Sequence, residues 1–428
     1  MLIIEIPESR TSVLESANVE LLSQFSGENG IVSKSVPGGE DGLFYYQLDC
    51  NKKEITTSYF IGVDWIVEKK LPIYVRPKLN NGKREINYLG MLFEALQEPD
   101  NVAHLDGLVN IEFEKPPIGI SQKQDILSVF LIIQFLQVLK IIVKKGLKKS
   151  YYLKQENLNS KIKGKIEIGR SVKKNLFRGA ITKTVCQYQE YGVDSDENRL
   201  LKKAYVVSCK LLNQGHVADE LVVLWKIIQY INPALVNISS EISVNRIMGI
   251  RTNPIYTEYA QAIRLAKLIL KRSAYNISSS SELVVTPPFW IDMSKLFELY
   301  VYKKLREQFS GKEVKYHLKA RRQELDFILN AQGLLFIIDA KYKPSYYSHG
   351  ISVEDVRQVS GYARLKRVYK ELKIADYNQN IPCLIIYPHQ DCQANLPVMS
   401  KSKDWLVPED GYVKLFKLGI SLPEINSN

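Results

Sequence analysis

Over the first eighty residues, apolar and polar positions alternate in short runs: LIIEI (2–6), LFYYQLD (43–49), TTSYFIGVDWIV (56–67) and LPIYVRP (71–77). A period of two, rich in β-branched and aromatic residues and broken by Gly, Pro, Asn and Asp, predicts strands. REINYLGMLFEALQ (84–97) has helical spacing instead. From about 121 to 275 the period lengthens towards 3.6, which predicts helices over 122–145, 197–213, 217–230 and 255–273. Within that region KIKGKIEIG (161–169) reads as a short strand or hairpin. SSSS (278–281) followed by TPP (286–288) marks a boundary. Beyond it DMSKLFELYVYKKLREQF (292–309) predicts an amphipathic helix, with Asp292 or Ser294 at its N-cap. ELDFIL (324–329) and LLFIIDAKYK (334–343) predict strands joined across NAQG (330–333). VEDVRQVSGYARLKRVY (353–369) predicts one further helix, and IPCLIIYP (381–388) a buried strand.

The expected fold is therefore a multidomain α+β chain. Residues 1–120 form a β-rich N-terminal domain, and 121–282 a mainly helical region with a basic strand or hairpin insertion. Residues 283–428 form an α/β domain of helices over a mixed sheet. The chain of 428 residues is long enough for two or three domains.

Charge adds a partner to this picture. The formal net charge is +12, and residues 144–183 hold thirteen Lys or Arg against Glu156 and Glu167. Such a surplus favours a polyanion, or an acidic partner surface, over a neutral ligand. Five cysteines without a C-x-x-C pair point to reduced thiols, not a disulfide framework or zinc site. ILSVFLIIQFLQVLKIIVKK (126–145) is interrupted by Ser128, Gln134, Gln137 and Lys140, so a buried helix is expected there in preference to a membrane span. The N-terminus lacks the features of a signal peptide, and a cytoplasmic location is expected. No G-x-x-x-x-G-K-[ST] occurs, so the chain is not expected to hydrolyse nucleotides by itself.

The candidate chemistry lies in IIDAKYK (337–343). Residues i and i+2 of a strand share a face, so Asp339 and Lys341 project together where an apolar strand gives out. Asp326, on the preceding strand, falls opposite Ile337 or Asp339 and shares that face in either register. Glu324 has the same parity and is an alternative to Asp326. Carboxylates buried at such a point require a cation or a solvated cleft. An all-oxygen site suits Mg²⁺ or Mn²⁺, and a neighbouring lysine suits phosphodiester hydrolysis.

Asp326, twelve intervening residues and Asp339-Ala-Lys341 resemble the PD-(D/E)xK nuclease signature. PPFWIDMSKLFELYVYKKL (287–305), ELDFIL, FIIDAKYK, DVRQVSGYA (355–363) and LIIYP (384–388) resemble, in order, the nuclease domain of the McrC family. These are the cleavage subunits of McrBC modification-dependent restriction systems. LNSKIKGKIEI (158–168) and CQYQEYGVDSDENRLLKKAY (186–205) resemble the family's central region, so the likeness covers about 158–388.

The resemblance implies a C-terminal PD-(D/E)xK core in which Glu298 is the helix-borne acid and Asp326 and Asp339 are the metal-binding acids. Lys341 is then the motif lysine, and Gln358 and Tyr362 are auxiliary polar residues. It further implies Mg²⁺ (or Mn²⁺) as cofactor, modified double-stranded DNA as substrate, and a McrB-like AAA+ GTPase hexamer as partner. The chain departs from the pattern where Leu325 replaces the motif proline and where Asp339 stands in place of Glu. Two other readings use the same residues: a non-catalytic regulator of an AAA+ ring, and a stand-alone repair nuclease.

Overall fold

A computed structural model describes residues 3–14, 30–37, 42–79, 86–105, 107–112, 115–121, 127–214, 222–250, 256–278, 283–320, 323–331, 333–392, 396–399 and 405–424. The structure is a mixed α/β protein with several sheets. Two compact units divide it: residues 1–120 together with 285–428, and residues 121–284. The two outer regions, expected as separate domains, thus share one unit. His216 and most of the serine run at 278–281 lie outside the described residues.

The outer regions join through one strand. Phe289–Asp292 is antiparallel to both Phe60–Val67 and Val109–Ile111, within a five-stranded sheet completed by Leu71–Arg76 and Ile4–Pro7. Gly62 makes this possible. Its φ is +154°, and a Cβ placed there would lie 2.0 Å from the Phe289 carbonyl oxygen. Only a residue without a side chain lets the two backbones approach so closely. Trp290, 1% exposed, stacks on Tyr45. Its indole N–H donates to the buried Asp64 carboxylate, which Lys34 and Lys115 neutralise at 3.4 and 3.2 Å. A further four-stranded antiparallel sheet runs in the order Thr11–Val13, Glu54–Thr57, Phe44–Asp49, Ile31–Ser35.

Within the same unit a six-stranded sheet carries the candidate chemistry. Its order is Val314–Ala320, Gln323–Ala331, Leu334–Ala340, Cys383–Pro388, Leu415–Ile420, Val407–Pro408. The first three strands are antiparallel neighbours, and Leu334–Ala340 pairs in parallel with Cys383–Pro388. Val314–Ala320 and Leu415–Ile420 have no counterpart in the sequence-based expectation.

The helix Met293–Arg306 begins at Asp292, whose side chain accepts from the Lys295 N–H, and buries Leu296, Phe297, Tyr300 and Val301. The expected single helix over 353–369 is two, Val353–Tyr362 and Lys366–Leu372. Leu365 between them is extended (φ −77°, ψ 120°). The break lets Val356, Val359 and Tyr362 of one helix and Val368, Tyr369 and Leu372 of the other enter the same core with Ile328, Ile337 and Ile385.

The second unit packs the helices Leu127–Lys145, Asp196–Gln214, Val222–Leu235 and Thr257–Ser278. Among the described residues no helix is long and apolar enough to cross a membrane. The apolar stretch that raised that question is core: Leu131, Phe135, Leu136 and Leu139 are fully buried. The basic insertion is larger than expected. Ser150–Asn159 and Lys183–Gly192 form a ten-residue antiparallel ladder, with Lys165–Ile166 as a third strand.

Candidate active site

The hairpin register decides the geometry. Phe327 pairs with Ile338, and the same register carried one residue further sets Asp326 against Asp339. There the ladder ends: the Ala340 N–H donates 2.8 Å to Asp326 Oδ2 instead of to a backbone carbonyl. Asp339 is 1% exposed, yet neither of its carboxylate oxygens has a well-formed hydrogen bond. Its one close partner is Lys341, whose Nζ stands 2.9 Å from Oδ2. Lys341 Nζ also donates 2.8 Å to Gln358 Oε1, and Gln358 Nε2 donates 2.8 Å to the Tyr362 hydroxyl. The structure thus strings Asp339, Lys341, Gln358 and Tyr362 on one polar line. Gln358 and Tyr362 reach it together because positions i and i+4 share a helix face.

Glu298 lies close enough to act electrostatically on both aspartates, but its carboxylate is engaged elsewhere. His317 Nε2 is 2.6 Å from Glu298 Oε1, and His317 Nδ1 is 3.2 Å from Glu324 Oε1. Glu324 therefore turns to His317 and Lys319 at the sheet edge. His317 is the participant that sequence reasoning missed, since nothing in its spacing from Glu298 or Asp326 marks it. It occupies a left-handed backbone conformation (φ +52°), uncommon for a side-chain-bearing residue though better tolerated by His. Its ring packs between Tyr316 and His104. His389, Cys383 and Cys392 do not converge on one point: His389 Nδ1 is 2.9 Å from Cys392 Sγ, while the Cys383 thiol faces the Val359 carbonyl.

Burial, then the Asp339 and Glu298 charges, push the Asp326 carboxyl well above its ordinary range; Lys341 and the Ala340 N–H pull the other way. Burial likewise raises Asp339, against the opposing Lys341. Burial works against the Lys341 ammonium as well, but the two aspartates outweigh it and hold its pKa above the usual lysine value. Two carboxylates meeting in a low-dielectric pocket cannot both ionise cheaply; the site must bind protons or cations. The unbonded oxygens of Asp339 and the all-oxygen donor set fit a hard divalent ion. Among the described residues no three potential ligands are grouped to clasp one ion as they stand, because Glu298 is turned to His317.

The chain is a mixed α/β protein in which two carboxylates and a lysine meet at a strand end. Its family is more specific. Residues 57–388 match the family described as "McrBC 5-methylcytosine restriction system component", and the chain belongs to it. No curated protein sequence matches the chain. Solved structures similar to it include a chain from the assembly of Thermococcus gammatolerans McrB AAA+ hexamers with bound McrC. That chain is 15% identical over 98% of this chain and 94% of its own, with a TM-score of 0.39. Another comes from the Thermococcus gammatolerans McrBC complex, 15% identical over 72% of this chain and 88% of its own, with a TM-score of 0.28.

Proposed function

We propose that this chain is the cleavage subunit of a McrBC-type restriction system, hydrolysing phosphodiester bonds in modified double-stranded DNA when joined to a McrB-like AAA+ GTPase. The observation that carries this reading is the convergence of Asp326, Asp339 and Lys341 at one frayed strand end in a chain of this family.

Asp339 and Asp326 would hold Mg²⁺ or Mn²⁺, with Glu298 as the neighbouring third acid. Bound there, the ion supplies Lewis-acid polarisation of the scissile phosphate and a lowered pKa for a water ligand. The rest falls to the protein. Lys341, held by acceptors on Asp339 and Gln358, presents its ammonium to the phosphate oxygens and stabilises charge that grows in the transition state. Gln358 and Tyr362 fix the lysine's reach. His317 holds the Glu298 carboxylate through Nε2.

With no phosphate-binding P-loop in the sequence, GTP hydrolysis belongs to the partner. The three-stranded basic sheet and its flanking turns are the surface assigned to it. Ile168, Phe177 and Ile181 are 73%, 80% and 78% exposed there, and large apolar side chains on a basic face suit a protein surface better than phosphate alone.

Cleavage of methylated DNA with partner, GTP and Mg²⁺ tests the reading. Asp339→Asn, close in shape to the original residue, is expected to lose activity by roughly 10²-fold or more while still stimulating the partner's GTPase. Undiminished cutting by that variant would overturn the site. If the wild-type chain stimulates the GTPase and never cuts, it is a regulator instead.

A further inference from the structure

Beside the acid pair lies a cleft of ≈ 450 Å³. It is lined by the ammonium-bearing Lys78, Lys341 and Lys343 and by the hydroxyl-bearing Ser9, Ser294 and Ser345. Lys341 belongs to both places, so the cleft opens directly off the candidate active site. Lys78 comes from the N-terminal region, just past the strand Leu71–Arg76. Its Nζ is fixed by the Tyr342 carbonyl at 2.7 Å and lies 4.0 Å from the centroid of the Tyr342 ring. Its backbone N–H donates to the buried Glu8 carboxylate at 3.1 Å.

The charge of this lining is unbalanced. Asp355 is the one carboxylate among the lining residues, and Lys343 at 2.7 Å together with the Tyr346 hydroxyl already engages it. Lys78 and Lys343 stand near enough to repel. Burial lowers the Lys78 pKa; Glu8 opposes it, and the Lys343 charge adds a smaller lowering. Holding like charges together in a half-buried cleft is unfavourable unless an anion comes between them. Lysine is a suitable point-charge binder of phosphate, and serine hydroxyls donate to the same oxygens.

We propose that this cleft seats a backbone phosphate of the DNA strand next to the one being cut, with Lys78 and Lys343 as its ligands. This rests on the nuclease reading above. A strand lying across Asp326 and Asp339 must place its neighbouring phosphates within a nucleotide or so, and Lys341 joins the two positions. The N-terminal region is then part of the DNA-binding surface.

The test is fluorescence anisotropy of a labelled DNA duplex with the full chain in EDTA, so that binding is read without cutting. Lys343 is exposed, and the Tyr346 hydroxyl remains on its partner Asp355, so Lys343→Met keeps the fold. It is expected to weaken binding about 5- to 10-fold and to lower the slope of log K against log salt by about one. Lys78→Met should do the same, with Lys78→Arg restoring much of the affinity. Wild-type affinity and slope in Lys343→Met would overturn the proposal. Cleavage by the wild-type chain is scored separately. Lysine-dependent binding without cutting removes the nuclease reading and leaves the cleft; cutting with lysine-independent binding does the reverse.

Discussion

At the residue scale, the molecule keeps carboxylates where water cannot reach them. Glu8 illustrates this away from the acid pair. It is fully buried, and burial lifts its pKa to about 7, against the opposing Lys78. A carboxyl whose folded pKa exceeds the unfolded value of 4.5 favours the fold while protonated. Its contribution is fully present below pH 4.5 and is lost as pH rises through about 7. Glu8→Gln is therefore expected to match wild type near pH 4.5 and to be the more stable protein at pH 8, by up to roughly 3 kcal/mol. Thermal melts of both proteins across that range measure the difference. A gap that shrinks with rising pH would contradict the burial argument. Asp339 differs because the Lys341 ammonium stands 2.9 Å from its Oδ2 and opposes the effect of burial.

At the element scale, the strand Phe289–Asp292 does the most to place the site. It completes the five-stranded sheet, and its last residue caps the helix that carries Glu298. Gly62 is the condition for that pairing. Gly62→Ala is expected to cost at least about 2 kcal/mol, since both the left-handed backbone and the contact with Phe289 oppose a side chain. A denaturant titration would show a lower midpoint. Cutting, if retained, should fall with the folded fraction and not below it. The hairpin strands Gln323–Ala331 and Leu334–Ala340 act similarly for the aspartates: slipping them by one residue would turn Asp326 to the opposite face.

At the scale of the whole molecule, the candidate site and the surface proposed for the partner fall in different compact units. The acid pair and lysine cleft lie in the unit of residues 1–120 and 285–428, and the exposed basic sheet in residues 121–284. Perturbations should therefore separate by function. Phe177→Glu with Ile181→Glu, both exposed, is expected to reduce stimulation of the partner GTPase by about tenfold or more, as loss of interface anchors does. Metal-free DNA binding through Lys78 and Lys343 should stay near wild type. GTPase stimulation at wild-type strength would move the docking surface elsewhere.

The sequence by itself determined the local facts: a strand ending in Asp339-Ala-Lys341, their shared face, Gln358 and Tyr362 one helical turn apart, and a chain too rich in lysine to be indifferent to polyanions. These follow from fixed periodicities of strand and helix, which need no knowledge of what packs against them. Tertiary structure alone decided which distant pieces meet. His317 reaches Glu298 because Val314–Ala320 joins the sheet edge, and Lys78 reaches Tyr342 because residues 289–292 pair with residues 60–63. The two ten-residue ladder strands are likewise legible only once paired, since each is a mixed run of polar and aromatic residues with one lysine and one glutamate. Contacts across 200 residues depend on hydrogen bonding and shape between surfaces that do not yet exist in the extended chain, so no local pattern can announce them.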